Sequence, residues 1–441
     1  MPEGAQLREF VCPRCAAKAR LDARFVQWCT SCGFNADPKP PELSKRRQRS
    51  AEREYERSRK LFESLRTARN LRPTSATGVS VTLLSGVVHL ISVAVLALPI
   101  AYIALYGGGF WPGVFLVFCL LTFLVIRPRL PLRKLNDDAG LDRSQAPKFY
   151  ELLDRCAAEL GCAVPERVGI DLRFNASTGR VGLRQQSYLI LGMPLWTVLS
   201  GQERIALLGH ELAHQVNGDT THGLWAASAR GSLHAWTKLL DPRQTNFERR
   251  SNERIARRSP RGGLGGLVGI AAPIVMTVLF SPFFAIALGC RVGLQRLDLY
   301  CGQRAEYLAD ELGARLAGSE AEYGLLSKTA LAESVTHFLT AARNRHRQKA
   351  SRKDEAAALW ADLAEYVDSI PETEQQRRKI VDRAHNTRTD RSHPASHLRI
   401  ALIEARPQLP GVLKLSEDEW AAIDAELAPG YAGAARRLLS S

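Results

Sequence analysis

The stretch His210-Glu211-Leu212-Ala213-His214 decides the fold of the chain around it. Apolar residues recur at helical spacing before and within it, so we predict a helix over residues 201–216. Positions four apart share one face of a helix, which places His210 and His214 side by side. Two neutral imidazoles held in this way can bind one zinc ion, and Glu211 then lies beside the metal, where it can accept a proton from water.

The residues in front of this motif indicate where the helix begins. Ser200 and Glu203 match a capping box, with Ser200 as the N-cap. Burial of two histidines and a glutamate without partners would be costly, which argues against an ordinary turn of helix. A catalytic zinc also needs a third protein ligand and an open fourth position. The motif therefore requires another ligand elsewhere in the chain.

Length, charge and cysteine content restrict the class of protein. At 441 residues we expect two or three domains. Much of the formal net charge of +15 lies in residues 44–73, which carry eleven Lys/Arg and four Glu. This basic segment lies just ahead of an apolar run, and that position favours an anionic membrane surface as its neighbour. No signal peptide is expected, since Met1 to Phe10 is polar. Nine cysteines with two CxxC pairs suit metal binding in a reducing compartment.

Residues 8–36 carry those two pairs. Four thiolates with thirteen residues between the pairs are typical of a zinc ribbon with one structural zinc. The predicted ligands are Cys12, Cys15, Cys29 and Cys32. So small a module would depend on the metal for its stability. Its function stays open, because ribbons bind proteins and nucleic acids alike.

Residues 42–73 follow as a basic charged linker or exposed helix, and residues 79–126 are predicted to form a transmembrane hairpin. No formally charged residue occurs from Thr74 to Ile126. Val79 to Leu105 is long enough to cross a hydrocarbon core of about 30 Å, and Gly107 to Pro112 supplies the turn. Basic clusters flank both ends of the hairpin, so the positive-inside rule predicts that both ends lie in the cytosol.

The segment between the hairpin and the motif predicts a small sheet. Residues 147–161 form an amphipathic helix by pattern, and three short strands are expected at residues 168–172, 181–183 and 188–191. Gly179 and the pair Gln185-Gln186 are the expected turns. With the helical patterns downstream, the predicted class is α+β, mostly α.

A second candidate motif is Glu306-Tyr307-Leu308-Ala309-Asp310, on a predicted helix over residues 297–317. Glu306 and Asp310 are four apart and share a helix face. With Glu306 as third ligand, His210 and His214 complete a His₂Glu zinc site that leaves the fourth position to water. Asp310 can orient a ligand histidine from behind.

These motifs resemble those of the membrane-associated HExxH zinc metallopeptidases of the gluzincin type that include HtpX and the CAAX prenyl endopeptidases. That family combines the first motif with a second of the form E-[FY]-x-A-D and a late H-P-x-x-x-x-R-I motif, which residues 393–400 match. The resemblance implies a zincin-type peptidase domain over residues 140–410. It also implies that His393 stabilises the oxyanion of the reaction with support from Arg399, and that the strand edge near residues 175–177 binds an extended peptide.

Between the motifs the chain departs from the membrane members of that family. Residues 220–240 contain Arg230, Lys238 and two histidines, too polar for an expected crossing. Residues 262–290 are uncharged and apolar but too short for two crossings. We therefore expect a buried or membrane-dipping helix or bent hairpin there, with a crossing by residues 220–240 as the open alternative. Residues 411–441 are expected to form a tail of short helices.

The expectation for function is a membrane-anchored zinc endopeptidase that hydrolyses peptide bonds of protein substrates with metal-activated water. It would use one catalytic and one structural zinc, and the resemblance implies membrane-protein quality control. The expected place is the cell (inner or plasma) membrane, as a multi-pass protein with a cytosolic catalytic domain. The expected partners are protein or peptide substrates, membrane proteins among them, the lipid bilayer, and a ribbon partner that the sequence does not identify. The alternative is a catalytically inactive membrane scaffold whose ribbon binds a protein or nucleic acid.

Overall fold

The computed structural model describes residues 7–38, 44–68, 71, 75–127, 140–181, 186–216, 219–241, 264–348, 353–384 and 394–440. The strands are β1 (Leu7–Val11), β2 (Lys18–Asp22), β3 (Gly140–Leu141), β4 (Arg167–Asp171), β5 (Ala176–Val181) and β6 (Gln186–Gly192). The helices are α1 (Lys45–Arg66), α2 (Ser75–Tyr106), α3 (Phe110–Ile126), α4 (Pro147–Leu160), α5 (Met193–Trp196), α6 (Gly201–Val216), α7 (Asp219–Leu239), α8 (Leu264–Ala317), α9 (Ser319–Thr329), α10 (Ala332–Gln348), α11 (Lys353–Asp368), α12 (Glu372–Ala384), α13 (Ser396–Ala405) and α14 (Glu417–Ser440). Helices dominate and the sheets are small, which confirms the predicted fold class.

The chain folds into two compact units. The first comprises Met1–Arg72, Leu132–Thr220 and Gly302–Ser441, and the second comprises Pro73–Pro131 and Thr221–Cys301. Helix α8 contributes to both units. All of the candidate site residues belong to the first unit.

The larger sheet of the first unit has the strand order β3-β4-β6-β5. Strands β4 and β6 run parallel, and β5 pairs antiparallel with β6, so that within the described residues β5 is an edge strand. The sequence placed a turn at Gly179, and this prediction was wrong. Gly179 lies within β5 opposite Tyr188, whose hydroxyl would be 2.6 Å from any Cβ at that position. The glycine is therefore explained by the close approach of an aromatic ring, a common reason for glycine inside a strand.

The core of the first unit lies between this sheet and helices α4, α6 and α14. Trp196 is fully buried there, in edge-to-face contact with Phe149, and its indole N–H donates to Tyr431 of α14 at 2.9 Å. Residues 417–440 form one helix of 24 residues instead of the expected short helices. Its apolar face is buried in the main core, and tertiary packing of this kind is what stabilises a long amphipathic helix.

Helix α14 also contacts the first turns of α6. The Arg204 guanidinium donates to Asp424 of α14 at 3.0 Å and lies over the Trp196 ring. The ring nitrogen of Trp420 lies 2.3 Å from where a Cβ on Gly201 would be. The C-terminal helix thus holds the beginning of the helix that carries the HExxH motif.

Helix α1 is more buried than the sequence predicted. Leu61 and Leu65 are buried in a cluster with Tyr307 of α8 and Leu398 of α13, and the Ser58 hydroxyl donates to Gln303 at 3.3 Å. Charged residues such as Arg49, Arg53 and Arg59 are exposed on its other faces. A helix with one apolar stripe packs that stripe against its own domain, so residues 45–66 brace the second motif instead of forming a free linker.

In the second unit, α2 packs against α7 and α8. Buried contacts join Val88 of α2, Ala229 of α7 and Leu294 of α8, and His89 meets Trp225 edge to face at 4.3 Å between ring centres. Among the described residues, Thr77–Tyr106 is long and apolar enough to cross a membrane, and a shorter apolar helix covers Phe110–Leu124. The outward faces of these helices expose large apolar side chains, such as Leu90, Leu105 and Phe118. Such a surface suits hydrocarbon better than water.

Two features of the second unit bear on residues 220–290. From Leu264 the chain is one continuous helix, so the bent hairpin considered for residues 262–290 is not formed over the described part. Arg230 of α7 forms an ion pair with Asp298 of α8, and Arg291 donates to Thr237 at 2.9 Å. One of the two formal charges that argued against a crossing by residues 220–240, that of Arg230, is thus paired within the unit.

Candidate metal centre

Helix α6 begins at the predicted capping box. The Glu203 backbone N–H donates to the Ser200 hydroxyl at 3.3 Å, and the Ser200 backbone N–H donates to the Glu203 carboxylate at 2.7 Å. The Lys328 ammonium on α9 binds the same carboxylate at 2.8 Å. The start of the motif helix is therefore fixed both locally and by a neighbouring helix.

Two glycines allow α6 and α8 to cross closely. A Cβ on Gly209 would lie 3.1 Å from the Cα of Gly313, and a Cβ on Gly313 would lie 3.1 Å from the backbone oxygen of Ala206. Larger residues would separate the helices. The close crossing brings the His-bearing face of α6 against the face of α8 that carries Glu306 and Asp310.

Three potential ligand atoms meet at this crossing. His210 Nε2 lies 3.6 Å from one Glu306 oxygen, and His214 Nε2 lies 3.6 Å from the other. Ligand atoms held at about 2.0–2.1 Å around a tetrahedral zinc lie roughly 3.4 Å apart. The His₂Glu group therefore fits a zinc ion in donor type and in spacing.

A buried charge network supports one of these histidines. His210 Nδ1 lies 3.0 Å from Asp310, and Arg399 of α13 binds both oxygens of the same carboxylate, with its Nε at 2.8 Å. Burial alone would raise the pKa of Asp310, but the Arg399 guanidinium outweighs it and holds that pKa below its ordinary value. The carboxylate thus remains charged and orients the imidazole so that Nε2 faces the metal position.

Sequence reasoning missed one carboxyl group beside this network. Glu322 of α9 is fully buried next to Asp310 and His210, and its carboxyl rests against Gly313. Burial, and then the negative charge of Asp310, raises the pKa of Glu322 well above its ordinary value. This environment therefore favours the protonated, neutral form of the Glu322 carboxyl over the charged form. No sequence motif indicates Glu322, because acidic residues in the first turn of a helix such as α9 are common.

Glu211 lies at a cleft of about 460 Å³. Its walls come from α6, α9, α10, α12 and α13 and from the loop before β5, and its lining residues include His210, Glu211, Phe174, Asn175, Leu326 and Arg399. The Thr178 hydroxyl of β5 donates to the backbone oxygen of Glu211 at 3.0 Å. The edge strand β5 is thereby attached to the helix that carries the motif.

His393 lies outside the described residues. Pro394 and Ser396, which follow it, line the cleft. His397 packs against the ring of Tyr55 on α1, and burial, together with the positive charge of Arg383, lowers its pKa to about 4. A neutral, half-buried imidazole in that position is a packing residue.

The four cysteines of the ribbon also converge. The Sγ atoms of Cys12 and Cys32 are 3.6 Å apart, as are those of Cys15 and Cys29, and all four lie within 4.8 Å of one another. These separations are too long for disulfides and close to those around a tetrahedral zinc. Burial opposes ionisation of Cys29, yet backbone N–H groups outweigh it and lower its pKa to about 6. The ribbon thus fits a second metal ion, and Gly33, at φ +70°, closes its second turn.

Comparisons with known proteins agree with this geometry. The pattern of Peptidase family M48 matches residues 144–407. Protease HtpX of Stutzerimonas stutzeri (strain A1501) is 26% identical over 182 residues, which are 41% of this chain and 56% of that protein. Protease HtpX of Pseudomonas putida (strain GB-1) is 25% identical over 183 residues, 41% of this chain and 55% of that protein. The chain thus spans somewhat more than half the length of these curated relatives, and no solved structure matches it significantly.

The matched region begins just before α4 and ends just after α13. It therefore contains strands β4, β5 and β6 of the larger sheet, the cleft, the three converging ligand atoms and the Asp310–Arg399 pair. The ribbon, α1 and the apolar helices α2 and α3 precede it. With its matched region covering more than half of its residues and its His₂Glu site inside that region, the chain belongs to Peptidase family M48.

Proposed function

We propose that this protein is a membrane-anchored zinc endopeptidase that hydrolyses peptide bonds in protein substrates. The observation that carries the proposal is the meeting of His210, His214 and Glu306 at zinc spacing, with Glu211 beside them at an open cleft. Family membership and the relatives that are named proteases support it.

His210, His214 and Glu306 would hold the catalytic zinc. When bound, the ion would polarise the scissile carbonyl and lower the pKa of an attacking water to about 7. Glu211 accepts the proton of that water and passes it to the leaving amine. Asp310 keeps the His210 ring oriented throughout, and Arg399 holds Asp310 in place.

The charge that develops on the substrate carbonyl needs a donor in the cleft. We assign this role to His393, as the family resemblance implies, with Arg399 in support. The position of Pro394 and Arg399 on the cleft wall supports the assignment. An N–H donor aimed at the developing oxyanion would stabilise the transition state of the reaction.

Strand β5 offers a place for the substrate backbone. In the part of the chain that the structure describes, β5 pairs with β6 and with no other strand, so its other edge can accept an extended peptide as an added strand. Thr178 ties β5 to Glu211, which would hold the added peptide next to the proton acceptor.

For the membrane, we propose that the hairpin α2–α3 anchors the protein in the cell membrane as a multi-pass protein, with the catalytic residues and the ribbon in the cytosol. The apolar exposed surface of these helices and the basic residues at either end support this orientation. Membrane proteins presented at the cytosolic face, as in quality control, are the proposed substrates.

The test is hydrolysis of fluorescein-labelled β-casein by the purified full-length protein. Glu211→Gln should abolish hydrolysis while the zinc content, measured by elemental analysis, stays unchanged, because the ligands remain and the base is gone. Glu320→Gln, an exposed position on α9, is the matched control and should behave as wild type. Hydrolysis by Glu211→Gln near the wild-type rate would refute the mechanism, and an inactive wild type with full zinc would favour the scaffold alternative.

A further inference from the structure

The ribbon packs against α12 and the corner that precedes it, within the first unit. The Arg24 guanidinium, held by Asp22 of the ribbon at 2.8 Å, donates to the hydroxyl and to the backbone oxygen of Ser369, both at 3.1 Å. Ser369 lies in the corner between α11 and α12. Phe25 packs against the main core beside it. The ribbon therefore has a defined seat.

A buried arginine completes this seat from the other side. Arg377 of α12 is only 4% exposed and donates to the backbone oxygen of Ala36 in the ribbon at 2.9 Å. Two of its nitrogens also bind the Glu374 carboxylate, at 2.6 and 2.7 Å. A buried, bidentate arginine pair of this kind is geometrically specific, so the position of Ala36 and that of α12 are linked.

The same Glu374 carboxylate binds the next residue of the helix. Arg378 Nε donates to Glu374 at 2.9 Å, and Arg378 Nη1 donates to Glu333 of α10 at 2.6 Å. Arg378 and Glu333 both line the cleft that contains His210 and Glu211, while Arg377 faces the ribbon. One buried carboxylate thus joins the ribbon seat to the cleft wall.

We propose that the zinc ribbon positions the substrate-binding wall of the cleft, with Arg377 and Glu374 as the positioning residues that transmit its docking to Arg378 and Glu333. The proposal rests on the proposed peptidase function and extends it: the ribbon is a part of the substrate site instead of a separate partner-binding module. None of these four residues belongs to the proposed catalytic zinc group. Loss of the ribbon fold should therefore change substrate binding and leave the chemical step intact.

The expected kinetic signature is a rise in KM at unchanged kcat. Displacement of a binding wall by about 1 Å can lower kcat/KM by up to 10²-fold. We expect a smaller displacement here, with a rise of about tenfold in the KM for labelled β-casein. The variants are Arg377→Gln, which leaves the four cysteines and their zinc in place, and Cys12→Ser/Cys15→Ser, which removes that zinc. Arg383→Gln, on an exposed face of the same helix, is the matched control.

Combination of the two changes tests whether they act through one path. If they do, the KM of the triple variant should equal the higher of the two parent values and rise no further. Independent sites would instead multiply the two increases in KM. Unchanged KM in Arg377→Gln, or multiplied effects in the triple variant, would overturn the proposal. A fall in kcat at constant KM would also overturn it.

A second measurement does not depend on activity. Amide hydrogen exchange of the full-length protein should show faster exchange in residues 372–384 for both variants, with residues 147–160 unchanged as the internal reference for an intact fold. One zinc per chain should remain in Cys12→Ser/Cys15→Ser. If the wild type hydrolyses nothing, the proposed function fails while this exchange result still decides the structural coupling. Unchanged exchange in residues 372–384 would refute the coupling even in an active enzyme.

Discussion

Replacement of Asp310 by Asn should weaken both the fold and the zinc site. Asp310 is 1% exposed and binds His210 and Arg399 at once. Asn retains one acceptor oxygen but presents an NH₂ group to the guanidinium and removes the negative charge. Arg399 would then be a buried cation without its closest anion.

The expected magnitude follows from these contacts. Removal of one member of a buried ion pair costs about 3–5 kcal/mol. A Glu306 oxygen lies 3.7 Å from Arg399 and supplies some compensation, so we expect the lower end, about 3 kcal/mol. At about 2–4 °C per kcal/mol this lowers the Tm of the zinc-free protein by roughly 6–12 °C. Loss of such a supporting carboxylate should also reduce zinc affinity by about 10–100-fold.

The matched control is Asp154→Asn. Asp154 also forms a two-pronged pair with an arginine, Arg143, but both side chains are about half exposed. Exposed ion pairs contribute about 0–1 kcal/mol to the free energy of unfolding, so the Tm of this variant should be close to that of the wild type. The assays are thermal unfolding in a chelator and zinc competition with a fluorescent chelator. Equal effects of Asp310→Asn and Asp154→Asn in both assays would refute the argument.

The contribution of Asp310 to stability should depend on pH with a definite sign. The folded-state pKa of Asp310 is lowered, so its contribution is present above the unfolded value of about 3.9 and is lost as pH falls through the folded value. The difference in Tm between wild type and Asp310→Asn should therefore persist from about pH 8 to pH 5 and shrink below about pH 4. A difference that grows on acidification would contradict the assignment.

Three further predictions concern other groups. Elemental analysis should find two zinc ions per chain and one after Cys12→Ser/Cys15→Ser, and a single ion in the wild type would remove one of the two sites. Because the pKa of Glu322 is raised in the folded state, the free energy of unfolding should fall as pH rises from the unfolded value of about 4.3 through the folded value. Glu322→Gln should abolish that fall in melting experiments, and equal pH profiles of the two proteins would contradict the raised pKa. In intact cells carrying a chain without other reactive thiols, an impermeant reagent should label Gly108→Cys but not Arg250→Cys, and labelling of the latter would show that residues 220–240 cross the membrane.

The sequence predicted the parts of the site whose physics is local. The spacing of His210 and His214, the capping box at Ser200 and the four-residue spacing of Glu306 and Asp310 are all properties of single helices. The structure agrees on these helices and brings the three potential ligands together. The spacing of the two CxxC pairs likewise predicts that the four cysteine thiols meet in one small module.

The features that sequence reasoning missed depend on contacts between distant segments. Glu322 is distinguished only by its burial against Gly313, and nothing in the pattern of α9 indicates it. The docking of the ribbon through Arg24 and Arg377 joins residues far apart in the chain. The apolar stripe of α1 had a visible signal, since Leu61 and Leu65 are four apart, but the dense charge around them obscured it.

The contact of α14 with α6 has a consequence for the synthesis of the protein. Arg204 on the motif helix is held by Asp424, and Trp196 by Tyr431, so the core behind the metal centre is incomplete until residues 417–440 have left the ribosome. All of the proposed zinc ligands emerge earlier. A nascent chain would thus carry every proposed reacting group without the support that aligns them, and the proposed hydrolysis would begin only after α14 has been translated.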